Sequence, residues 1–229
     1  MSRRADQVFR QLRDDIVSGC FPPGERLTES RLCGAYEVSR VPVREALKQL
    51  EMEGFVESRA YAGVTVTRMN ADEAADLFAV RKIIESATVR RCAERFRHTP
   101  DDAEVQAFDK ELSELVEAGS CTFRGPDRAA LAPLNTEFHL SLAEFSRIAS
   151  MRSLLRQVSS KIEWLYAMDV DVRGQHSWAE HREIAEAVRA GKAATASRLV
   201  RRHVHNSMQG YLLRHAARER SGSLDLHHG

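Results

Sequence analysis

The stretch 37–55, "EVSRVPVREALKQLEMEGF", decides how the first third of this chain is read. Val43, Ala46, Leu47 and Leu50 recur at helical spacing and share one face. Arg40, Arg44 and Lys48 follow at i, i+4 and i+8 on another. Ser39 precedes them as an N-cap. A helix with an apolar back can pack on its neighbours while its guanidinium front enters a major groove. There arginine pairs bidentately with guanine O6 and N7. The same stripe also suits a solvated surface helix, so spacing alone leaves both readings open.

Working outward, helices are expected over 5–18 and 28–35, with Thr28 capping the second. "SGCFPPGERL" between them carries two prolines and two glycines, which forbid a continuous helix. After residue 53, "GFVESRAYAGVTVTRM" reads as two β segments, 55–59 and 63–68. They join around Tyr61-Ala62-Gly63, where glycine permits close backbone approach to a minor groove. The order helix, turn, helix, reading helix, two-stranded wing favours DNA recognition. Charge does not: residues 1–68 hold 11 Lys+Arg and 10 Asp+Glu.

The composition sets bounds. A chain of 229 residues suggests two domains, and 43% hydrophobic content suits packed cores. No apolar run reaches the roughly 20 residues that span a bilayer, and the N-terminus has no signal-peptide core. A cytoplasmic protein that avoids membranes is expected. Cys20, Cys33, Cys92 and Cys121 are scattered, as in reduced thiols. There is no GxSxG, P-loop or HExxH sequence.

The remainder reads as amphipathic helices. The first starts with a capping box, Asn70 to Glu73, and carries the stripe Leu77, Val80, Ile84 and Ala87. The next is expected to start at Thr99-Pro100 and stop at Gly119. Others are expected over 127–146, 148–170, 177–190 and 193–219. Pro133 implies a kink or a later start, Ser177 and Glu180 a capping box, and Gly191 a stop. The expected domains are therefore residues 1–69, a mostly α head with a β-hairpin wing, and residues 70–222, an all-α antiparallel bundle. Residues 223–229 form a disordered tail in this reading.

Three of these helices turn one histidine each inward. His139 shares the face of Leu142 and Ala143, with Asn135 one turn before it. His181 joins the stripe of Trp178, Ile184 and Val188, and His203 that of Leu199 and Val200; His205 points the other way. Converging imidazoles inside a bundle suit a transition metal. Hydrogen-bonded core histidines are the alternative, and the pattern leaves both open. Arg81 likewise either clamps a carboxylate or forms a surface pair with Glu85.

"FPPGERLTESRLCGAYEVSRVPVREALKQLEMEGFVESRAYAGVTV" resembles the winged helix-turn-helix head of GntR-family transcriptional regulators, through PPGERL, VSRVPVREAL and EGFV. "FHLSLAEFSRIASMRSLL", "EHREIAEAVRAG" and "ASRLVRRHV" resemble the FCD effector-binding domain of the FadR-type subfamily. The first resemblance implies DNA contacts from Ser39, Arg40, Arg44, the wing at Tyr61 and Gly63, and Arg31. Glu37 stands where the family's turn commonly has glycine. The second implies a divalent metal held by Asn135, His139, His181 and His203, with zinc first and nickel, manganese or iron as alternatives. Asn135 replaces the aspartate of many members. Without that carboxylate the ion keeps more of its charge, so its open positions favour a carboxylate effector. A homodimeric repressor on a double-stranded DNA operator is expected. The competing readings are a metal-dependent hydrolase and a dimerisation bundle with structural histidines.

Overall fold

A computed structural model describes residues 2–59, 63–126, 128, 130–167 and 170–225. The chain divides into two compact units, residues 1–70 and 71–229.

In the first unit, α1 (Arg3–Val17) buries Ala5, Val8, Leu12 and Ile16, and Ser2 Oγ caps it by accepting from Ala5 N. Helix α2 (Glu29–Ala35) is capped by Thr28, and α3 (Arg40–Met52) lays Val43, Ala46, Leu47 and Leu50 against its neighbours. Between α2 and α3 the chain passes through Glu37 at φ 52°, a left-handed residue where a side chain is strained. The Tyr36 hydroxyl donates to Asp15 Oδ2 at 2.6 Å and ties this turn to α1. The wing is β2 (Val56–Arg59) antiparallel to β3 (Gly63–Val66). A third strand, β1 (Arg26–Leu27), pairs with the other edge of β3 through Arg26↔Thr65 and Leu27↔Val64. The expected hairpin is present, and β1 is a strand that the sequence reading does not find: two residues carry no periodicity, and only β3 gives them partners.

The second unit comprises α4 (Ala71–His98), α5 (Ala103–Arg124), α6 (Leu131–Phe145), α7 (Ala149–Ala167), α8 (Val170–Arg189) and α9 (Ala193–Asp225). Helix α4 packs along α9, α8 on α9, α5 on both α6 and α8, and α6 on α7. Val89, Cys92, Leu112, Phe138, Leu142 and Val200 belong to the shared core.

Several boundaries differ from the sequence reading. Helix α5 is capped by Asp102, whose Oδ1 accepts from Glu104 N at 2.8 Å; the Thr99 hydroxyl instead donates to Arg95 O. Gly119 does not stop α5, which continues to Arg124. It serves close packing: a Cβ there would lie 2.2 Å from the Trp178 ring. Ser177 is no cap but a buried interior residue of α8. Pro133 falls in the first turn of α6, where its missing N–H has no helical acceptor to serve. Residues 223–225 extend α9, while 226–229 lie outside the described residues. The stripe of α4 is rotated: Val80 and Ile83 are exposed, and Ala74, Phe78, Arg81, Ile84, Glu85 and Thr88 are buried. A buried ion pair takes the inward positions that hydropathy assigns elsewhere.

Candidate DNA-reading helix and metal centre

The reading helix presents a graded set of cations. Ser39 caps α3 with its backbone alone, and its side chain makes no capping bond. Arg40 is the first helical residue and is exposed. Arg44, 62% exposed, donates from Nε to Glu29 Oε1 at 2.6 Å. That bond from Arg44 holds the Glu29 carboxyl below its ordinary range. Arg31 is engaged more fully, bonded to Glu25 and lying 4.9 Å over the Phe21 ring. Gly63 opens β3 at φ 83°, with the Arg26 side chain against it. Tyr61 lies outside the described residues. The sequence reading passed over Val41, a 63% exposed apolar side chain beside Arg40. Its break from the amphipathic pattern was the available signal.

In the bundle, α6, α8 and α9 bring His139, His181 and His203 together. One ring nitrogen from each lies within 4.8 Å of the others, and all three rings are buried. The Nε2 atoms of His181 and His203 are 3.3 Å apart. Two nitrogens bound tetrahedrally to one zinc at about 2.0–2.1 Å stand about that far apart. Asn135 is fully buried on α6, one turn before His139, and neither of its amide atoms has a hydrogen-bond partner. The three imidazoles, with an unsatisfied buried amide one turn along α6, are of the chemistry that suits a divalent transition metal.

Carboxylates stand behind two of the rings. His203 Nδ1 lies 2.9 Å from Glu180 Oε2, and His139 Nδ1 lies 3.1 Å from Glu85 Oε2. A carboxylate behind the ring fixes the tautomer and turns the other nitrogen toward an ion. Spacing along the chain offers Glu85 only to Arg81 and Glu180 only to a capping box, because the rings they back sit on other helices. These acids also qualify the charge argument drawn from Asn135: the direct ligands are neutral, but carboxylates stand behind two of them. Arg81 is 1% exposed and not on the surface. Its Nε donates to Glu85 Oε1 at 2.6 Å, and its Nη2 lies 2.6 Å from His139 Nε2.

Burial shifts these groups. Desolvation lowers His139 to about 4 against the opposing pull of Glu85, with the Arg81 charge adding to the drop. Burial also lowers His203, against Glu180. Burial works against the Glu85 carboxylate, yet Arg81 and His139 together hold it at about 2. At neutral pH the His139 and His203 rings are therefore neutral ligands, and Glu85 behind His139 is charged.

Comparison with known proteins matches both halves. Residues 4–66 match the bacterial regulatory proteins of the gntR family, and residues 76–206 match the FCD domain. The chain belongs to the GntR family. This GntR-family chain is 28% identical over 205 residues to the HTH-type transcriptional regulator YdhC of Bacillus subtilis, covering 89% of this chain and 88% of that one. It is 26% identical to a probable D-xylose utilization operon transcriptional repressor of Paenarthrobacter nicotinovorans, covering 86% and 85%. A solved structure of a GntR transcriptional regulator from Rhodococcus sp. RHA1 superposes with a TM-score of 0.76 at 25% identity, over 92% of this chain and 98% of that one. The mostly helical fold with a winged helix-turn-helix is shared. The protein is a DNA-binding transcriptional regulator, not an enzyme. Among the described residues, no helix is long and apolar enough to cross a membrane.

Proposed function

We propose that this regulator senses a small carboxylate through a divalent metal held by Asn135, His139, His181 and His203. The metal, zinc before nickel, manganese or iron, supplies a Lewis-acidic seat for the anion. The observation that carries the reading is the buried Asn135 amide without a partner, one turn from His139 in a cluster of buried imidazoles. An unpaired buried polar group costs about 1–3 kcal/mol, which a bound ion offsets. Four neutral ligands leave the ion's charge in place, and Glu85 is already engaged by Arg81. An anion at the open positions completes the balance, and Arg81 is the clamp for it.

The readout is DNA. Arg40 and Arg44 read guanine edges, Ser39 and Arg31 meet phosphates, and the wing at Tyr61 and Gly63 follows the minor groove. Val41 offers an apolar contact for a thymine methyl. One reading helix specifies a short site, so a cytoplasmic homodimer on a two-fold operator is the working assembly. The effector acts by binding one conformational state better than the other, and repression ends on DNA release.

Calorimetry with small mono- and dicarboxylic acids, before and after chelator treatment, tests the sensor. Affinity for an acid should vanish with the metal; undiminished affinity defeats the reading. Selection from random duplexes tests the head, and should return two half-sites about 10 base pairs apart or a multiple of that spacing.

A further inference from the structure

We infer that Arg81 is a built-in competitor for the metal, an internal cation that holds the His139 nitrogen an ion needs. The inference rests on the metal reading above. His139 has two ring nitrogens. Its Nδ1 faces Glu85 Oε2 at 3.1 Å, so only Nε2 is left to meet an ion. That nitrogen lies 2.6 Å from Arg81 Nη2. Arginine has only donors, so Nε2 accepts, and its single lone pair is engaged. An ion and the guanidinium cannot share it.

The competition is also electrostatic. Arg81 and Glu85 are 1% and 3% exposed, so the guanidinium charge acts on the site through protein and not through water. A divalent ion loads only as Arg81 leaves His139, and does so beside a like charge. Arg81 therefore tunes the metal toward exchange and away from permanent structural use. Asn135, which brings no charge of its own, acts in the same direction.

The test is titration with Co²⁺ alone, followed by visible absorption and calorimetry, on the wild-type chain, Arg81→Gln, Arg81→Gln/Glu85→Gln and Asn135→Asp. Circular dichroism reports the fold of each. Arg81→Gln should bind Co²⁺ at least about tenfold more tightly than wild type. A residue that merely supported the fold would weaken binding when lost. The double variant removes both buried charges, so it stays informative if Arg81→Gln alone leaves Glu85 unpaired and unfolds. It should also bind more tightly than wild type. Failure of both variants to bind more tightly than wild type overturns the role of Arg81 and leaves the metal site standing. Tightening in the single variant only means that a freed Glu85 has become a ligand, which also overturns it. No binding by any of the four, Asn135→Asp included, removes the metal reading and this inference together.

Discussion

Arg44 shows how a single residue's work depends on a partner. Its pair with Glu29 crosses from α3 to α2 and is largely exposed, so it adds little to stability; in the proposed DNA reading it aims the guanidinium. Arg44→Ala should cost about 1–3 kcal/mol at one guanine position of the selected operator and little at that position once the guanine is replaced. Fluorescence anisotropy on matched duplexes reads the difference, and a uniform loss across sequences would mean a phosphate contact. The buried site responds to acid. His139 sits at about 4 against an ordinary 6.5, so below pH 6.5 the unfolded chain binds a proton that the folded one refuses. Its contribution to stability is present above 6.5 and is lost as pH falls toward 4. Glu85, at about 2 against 4.5, adds a second loss between 4.5 and 2. Urea unfolding of metal-free protein should show a midpoint that falls steadily below pH 6.5; a flat midpoint from pH 7 to 4 would contradict these shifts.

Among elements, the turn before α3 and the middle of α5 show two uses of backbone space. Glu37 holds a left-handed conformation that glycine adopts freely. Glu37→Gly should stabilise the head by about 1 kcal/mol in denaturant melts, with operator affinity unchanged. Here the sequence was legible, because the turn's position follows from the two helices around it. Gly119 is the opposite case. A Cβ at this position would collide with Trp178 across the α5–α8 contact. Gly119→Ala should destabilise the body by about 1–3 kcal/mol by overpacking, measured by urea titration. From sequence alone a glycine near a helix end reads as a stop. The packing reason for it lies on another helix, 59 positions away. The rotation of α4 has the same origin, since a buried Arg81–Glu85 pair defeats a hydropathy stripe that counts charges as outward.

For the whole molecule, the proposed metal site links loading of an ion to folding of the body. An ion that binds only the folded bundle stabilises it by about 2.7 kcal/mol when free metal is a hundredfold above its Kd. Scanning calorimetry with saturating Zn²⁺ should raise the melting transition of the body, and a chelator should reverse it. Asn135→Ala should shrink the shift while leaving operator binding by the head intact without effector. No shift with any divalent ion would leave the histidines as core residues.

The sequence alone determined what repeats locally. Helical spacing put Arg40 and Arg44 on one face of α3, turned His139, His181 and His203 inward, and set the wing after the reading helix. Spacing along one helix gives a direction but not what stands opposite. Only the tertiary structure decided that Glu85 and Arg81 of α4 flank His139 of α6, that Glu180 of α8 backs His203 of α9, and that β1 finds its partner in β3. Those contacts join residues 23 to 58 positions apart, and packing between elements brings them within bonding distance.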